Sequence, residues 1–366
     1  MTRRLIVPIL ILAALPAAAA RRRSVNLPPL HPPCTMILGS GAVAVTRNGG
    51  VSLIPSADIE HPISYTYGVT TMIDEPSTVV AWNKNDLLIS KDHGCTWRIA
   101  TTIEGSDFPP TLTAAPGGRV YAWSENRSFL VRYDSRGAQR LKQPADFLGF
   151  AVDAENGDHL RAGGSDGSLW ESHDAGETWD PLGRLGNAPL YYRFIFDPND
   201  LDHIVAGTVA NGAFVSRDGG RNWTKATGFS KGDANVFQLV ISPVDANVVW
   251  AMGIDTTQSS NPDDPSHGRH IYVSRDGGAT YDPVIDEQPG VKLINGPTMA
   301  AHPTNANILY FVFGTHIFDY GTDLFRFDLA NPGELVLMHH AMDGINAIAF
   351  SPEDPNVMYL GVETID

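Results

Sequence analysis

Cysteine is nearly absent: Cys34 and Cys95 are the only two in 366 residues. Two thiols so far apart exclude a cysteine-based zinc centre. Charge is also scarce, at 18% of residues against a usual share of about 25%. A disordered chain needs high charge and low hydrophobicity, and a long coiled coil needs abundant Glu and Lys, so both are excluded. Basic residues are the scarcer sign, 26 against 41 acidic, for a net charge of −15. The chain therefore lacks the basic footprint of a nucleic-acid binder, while an acidic surface suits cations or basic proteins. No stretch combines helical periodicity with caps. G-x-S-x-G, H-E-x-x-H and phosphate-loop patterns are missing too.

Glycine (35) and proline (26) are plentiful, which marks a turn-rich chain. The first twenty residues, MTRRLIVPILILAALPAAAA, place Arg3 and Arg4 before an apolar run and end in small residues. Ala18 and Ala20 fit an A-x-A cleavage site, so 1–20 reads as a signal peptide and the mature chain is expected to begin at Arg21. The run is short for a membrane span and contains Pro8 and Pro16. Residues 21–40 begin as a basic, then Pro-rich, extended lead-in. The reading is of an exported protein, periplasmic or extracellular, with no anchor in the mature chain. Export permits a Cys34–Cys95 disulfide, two unpaired buried thiols being the alternative.

Four segments read almost alike: SKDHGCTW at 90–97, SHDAGETW at 172–179, SRDGGRNW at 216–223 and SRDGGATY at 274–281. The shared residues are Ser90, Asp92, Gly94 and Trp97; Ser172, Asp174, Gly176 and Trp179; Ser216, Asp218, Gly220 and Trp223; and Ser274, Asp276, Gly278 and Tyr281. Glycine suits a positive φ in a tight turn, Ser and Asp can bond nearby backbone, and the closing aromatic can bury a large ring. The pattern S-x-D-x-G-x-[TN]-[WY] resembles the Asp-box, or bacterial neuraminidase repeat. That resemblance implies a β-propeller in which each box joins the third and fourth strands at the outer edge of a blade, a structural role.

Weaker copies stand at 46–53 (TRNGGVSL), 132–137 (RYDSRG) and 326–331 (RFDLAN), so copies start 40–58 residues apart. That is the size of a four-stranded blade. Segments 196–208, 241–253, 301–313 and 350–362 share a second plan, a strand, a Pro-containing turn and another apolar strand. The last copy supplies two strands without a box, and the first a box without the strands before it. Joined, they make one blade. The expected fold is all-β, a single seven-bladed propeller over 41–366, closed by N- and C-terminal strands sharing one blade. Six or eight blades are the alternatives.

In such propellers the box turns lie on one face, and the loops between second and third strands and between blades lie on the other. Two loops there are long, 254–270 and 314–323, and long loops on a rigid scaffold concentrate function. They carry Asp255, Asp263, Asp264, His267, Arg269, His270, His316, Asp319, Tyr320 and Asp323. Blade-joining segments add Tyr191, Tyr192, Arg193, His339, His340 and Asp343. Of these, Tyr191, Tyr192, Arg193, His267, Arg269, His316 and Tyr320 are the candidate ligand-binding set. Asp255 follows a second strand, as a catalytic Asp does in xyloglucanase-like propellers, and Asp319 or Asp343 could complete an acid–base pair. The tyrosine–arginine run only faintly resembles the sialidase motif. No tight His/Asp/Glu spacing marks a metal site, and no cofactor is expected. The resemblance also covers sortilin-like and photosystem II assembly factor-like propellers. The leading expectation is a monomeric, non-enzymatic binding or scaffold protein that recognises a protein or glycan through its loop face. A glycoside hydrolase is the alternative.

Overall fold

The computed structural model describes residues 43–51, 54–55, 66–105, 110–125, 127–186, 190–229, 234–260, 267–287, 298–313, 323–333, 335–340 and 344–363. Among the described residues, twenty-eight strands form seven antiparallel sheets of four. Blade 1 joins Gly344–Phe350 and Met358–Glu363 to Val43–Thr46 and Ile54–Pro55. Blade 2 is Thr66–Thr71, Val79–Asn83, Asp86–Ser90 and Arg98–Thr102; blade 3 is Thr111–Ala115, Arg119–Trp123, Leu130–Asp134 and Gly137–Arg140. Blade 4 is Phe147–Val152, Leu160–Gly164, Ser168–Ser172 and Asp180–Arg184; blade 5 is Tyr191–Asp197, Asp200–Thr208, Ala213–Ser216 and Thr224–Lys225. Blade 6 is Ala234–Ile241, Val249–Asp255, Arg269–Ser274 and Asp282–Asp286; blade 7 is Met299–Ala301, Ile308–Phe313, Asp323–Asp328 and Leu335–His340. The first strands touch in order around a ring, blade 7 meeting blade 1. This is a seven-bladed propeller.

Blade 1 closes the ring. Val43 lies opposite Gly361 and Thr46 opposite Met358, so the two ends of the chain share one sheet. Among the described residues the only helix is Thr256–Ser259, too short to leave a periodic signal.

The core is divided among the seams between blades. Seven apolar clusters each draw on two neighbours. Alternation along a strand sends successive side chains to opposite faces. Val79 and Ala81 accordingly enter the seam with blade 1, while Val80 and Trp82 enter the seam with blade 3. Both faces are dry, so second strands read as continuous apolar runs: VVAWN and VWAMGID are buried throughout. The outermost strands, such as Arg98–Thr102, are mostly exposed.

Each box is a closed hydrogen-bonded turn. In blade 5, Ser216 Oγ accepts from Gly220 N at 2.8 Å and donates to Asp218 Oδ1 at 2.9 Å. Asp218 then accepts from Asn222 N at 2.8 Å and Asn222 Nδ2 at 2.6 Å. Blades 2, 4 and 6 repeat this with Ser90, Ser172 and Ser274. The closing ring packs toward the preceding blade: Trp97 in the seam with blade 1, Trp179 with blade 3, Trp223 with blade 4 and Tyr281 with blade 5. The fifth-position glycine is required twice over. Gly220 has φ +86°, and a Cβ there would sit 1.9 Å from Leu169 Cδ1 of blade 4.

The weaker copies differ. Thr46 Oγ1 still accepts from Gly50 N at 2.9 Å. In blade 3 the box is replaced by a two-residue hairpin, where Asp134 takes Arg136 N at 2.8 Å and the Arg136 guanidinium at 2.8 Å. In blade 7, Asp328 takes Ala330 N at 3.0 Å.

Gly220→Ala adds overpacking to a disfavoured φ and is expected to lower stability by about 2–4 kcal/mol. Gly186→Ala, with open space around it, serves as the near-neutral control in chemical denaturation. The second expectation concerns acid. Bonds led by the Asn222 N–H hold the Asp218 carboxyl at about 2, below its ordinary 3.8. Such a group stabilises the fold above pH of about 4 and stops doing so as pH falls toward 2. Thermal melts should show the midpoint dropping across that window, with a shallower drop in Asp218→Asn.

Candidate functional site on the loop face

The first strand of a blade begins on the face opposite the boxes. Five of these strands carry a β-bulge at that end, between Thr66 and Gly68, Phe147 and Gly149, Tyr191 and Arg193, Val236 and Gln238, and Ile345 and Ala347. A bulge inserts one unpaired residue and re-aims its side chain. Tyr192 and Phe237 are two of the inserted residues, and their rings meet at 4.4 Å. Burial raises the Tyr192 phenol above its ordinary pKa.

Arg193, next along the strand from Tyr192, forms an ion pair with Glu125, from the loop between the second and third strands of blade 3. The contact reaches across blade 4. Arg193 Nε is buried without a hydrogen-bond partner among the described residues. The Tyr191 hydroxyl donates to the Leu185 carbonyl. Leu190, next to it, is 63% exposed. Tyr191, Tyr192, Arg193, Glu125, Phe237 and Leu190 thus place aromatic rings, an ion pair and an open apolar side chain on the loop face. Glu125 and Phe237 were not candidates in the sequence, where they stand 68 and 44 positions from Arg193.

Blade 6 carries a second group. Asp255 ends Val249–Asp255 and is only 1% exposed. Its Oδ1 accepts from Thr257 N at 2.9 Å, Thr257 Oγ1 at 2.6 Å and Gln258 N at 3.2 Å, which caps the helix Thr256–Ser259. His270 bridges Gln258 Oε1 at 2.7 Å and Asp286 Oδ1 at 2.8 Å. His267 Nδ1 lies 3.0 Å from Glu287 Oε1, and Arg269 lies 3.8 Å from Glu287 Oε2. Glu287, 7% exposed, therefore gathers two of the candidate residues. Burial, with Asp255 and Asp286 nearby, pushes the Tyr272 phenol well above its ordinary range.

Asp263, Asp264, His316, Asp319, Tyr320 and Asp343 lie outside the described residues. Asp323, His339 and His340 are strand residues of blade 7. Cys95 is disulfide-bonded, and Cys34, the other cysteine, lies outside the described residues. Among the described residues no helix is long and apolar enough to cross a membrane.

Seven four-stranded blades, four of them with Ser/Asp-pinned outer turns, define an Asp-box β-propeller. The Sortilin-Vps10 family (Sortilin, neurotensin receptor 3) matches residues 167–307. The chain is 45% identical over 341 residues to the Dispase autolysis-inducing protein of Streptomyces mobaraensis, covering 91% of this chain and 90% of that one, and it belongs to that protein's family. Among solved structures, YCF48 from Cyanidioschyzon merolae aligns with a TM-score of 0.56 at 11% identity, over 83% of this chain and 98% of its own. YCF48 bound to D1 peptide gives 0.55 at 11%, over 90% and 99%. The GH74 xyloglucanase from Xanthomonas campestris gives 0.59 at 16%, over 82% of this chain and 51% of its own. At these identities the structures share the fold alone.

Removing the Asp255 cap is expected to cost about 1–2 kcal/mol. Asp255→Ala should therefore unfold at lower denaturant than wild type, with Asp255→Asn, which can still cap, in between.

Proposed function

We propose that this chain is an exported protein-binding propeller that engages a secreted protease through its loop face and promotes the protease's self-digestion. The observation that carries this reading is the 45% identity, over nine-tenths of both chains, to a protein named for inducing dispase autolysis. The loop face supports it. Tyr and Arg concentrate binding energy at protein interfaces, and here Tyr191, Tyr192 and Arg193 stand together beside exposed Leu190. Asp255, the carboxylate that most resembles a catalytic one in sequence, spends Oδ1 on three bonds to its own turn. The charged segment, apolar run and A-x-A site at 1–20 support export.

The test incubates the mature chain with purified dispase and follows fragmentation of the protease on gels. Fragments of dispase should accumulate while the propeller stays intact. A double variant, Tyr192→Ala with Arg193→Glu, should need about 10-fold more protein or beyond for the same effect, as expected when interface anchors are lost. Unchanged dispase would overturn the proposal. Release of reducing sugar from xyloglucan or another β-glucan, lost in Asp255→Asn, would assign the hydrolase reading instead.

A further inference from the structure

The box face of blade 4 carries a cluster that neither the turn nor the proposed function requires. His159, Glu171 and His173 bring three ligand atoms within 4.8 Å of one another. Strand register explains the convergence. Leu160 pairs with Ser172 and Arg161 with Glu171, so His159 and His173 flank the same pair at the end of the ladder. Their rings stack at 4.7 Å with 16° between planes. Glu171 and His173 are two positions apart, which keeps them on one side.

The geometry points to a binding site for a zinc-class divalent transition metal, held by His159 Nε2, His173 Nε2 and Glu171 Oε2. Zn–N and Zn–O bonds of about 2.0–2.2 Å in a tetrahedron put ligand atoms about 3.4 Å apart. Glu171 Oε1 lies 2.8 Å from His159 Nε2, and Glu171 Oε2 lies 3.5 Å from His173 Nε2, so small side-chain rotations reach that spacing. Imidazole with carboxylate suits zinc and its neighbours better than calcium or magnesium.

Outer groups are in place as well. His159 Nδ1 lies 3.4 Å from Asp153 Oδ2, the carboxylate–histidine arrangement that orients a metal-binding ring. Arg161, itself 5% exposed, donates to Glu171 Oε1 at 2.8 Å and fixes that carboxylate while leaving Oε2 toward His173. Arg161 is also paired with Asp202 at 3.1 Å, which offsets its charge beside the site. His173 is 64% exposed along its side chain, so the remaining coordination positions face water.

The repeat supplies an internal comparison. The places of His159, Glu171 and His173 are held by Thr78, Ile89 and Lys91 in blade 2, and by His203, Val215 and Arg217 in blade 5. In blade 6 they are held by Val248, Val273 and Arg275. All three blades build the same Ser–Asp turn. The box therefore has no need of two imidazoles and a carboxylate.

The experiment is calorimetric titration of zinc chloride into the tag-free, metal-stripped chain, with cobalt(II) absorption as a second readout. One equivalent of zinc should bind, and cobalt should give visible bands from nitrogen–oxygen coordination. His173→Arg installs the residue that blades 5 and 6 already carry, so it should fold with an unchanged melting temperature in chelator. It should weaken zinc by at least about 10-fold, and Asp153→Asn should weaken it by a comparable or smaller factor. No zinc binding by wild type, or equal binding by a folded His173→Arg, would overturn the site. Neither result bears on the protease reading, which is tested on the opposite face.

Discussion

Every blade must hide both of its faces, and it can do so only against its neighbours. That constraint organises the rest of the molecule. It distributes the core among seven seams, makes the second strands apolar on both sides, and gives each closing aromatic a place between two blades. It also explains why a turn at the outer rim matters to packing. The Ser–Asp bonds of the box hold a glycine and a ring against the preceding blade, so local backbone chemistry and inter-blade contact are settled by the same eight residues.

Much of this was legible in the sequence because the information is local. A Ser Oγ that bonds the amide four residues on, and an Asp that bonds Asn or Thr four residues on, leave a fixed spacing at 90–97, 172–179, 216–223 and 274–281. The split first blade followed from an orphan box at one end and orphan strands at the other. What stayed hidden depends on distance or register. The pairing of Arg193 with Glu125 joins the first strand of blade 5 to a loop of blade 3. The bulges leave no mark, because a single residue inserted at the end of a strand such as TYGVTT or YYRFIFD has no signature of its own. The strand before Asp255 marks its position, whereas its Oδ1 bonds to Thr257 and Gln258 lie in the turn that follows. His159 meets His173 only once the hairpin register is known.

The two faces divide their tasks by how they are made. The four full box turns repeat nearly the same bonds, so among them that face varies where a side chain is free to differ, as at His173. The loop face is built from segments of unequal length around bulged first strands. There the frame fixes backbone positions and leaves side chains free to diversify, as Tyr192 and Phe237 do.

Closure through blade 1 has a biosynthetic consequence. Val43–Thr46 leaves the ribosome long before its sheet partner, Met358–Glu363. Until then two seams stay open and their apolar faces are wet. The ring therefore closes only once the whole length between these two strands has been made, and the early blades wait half-wet for the strand that seals them.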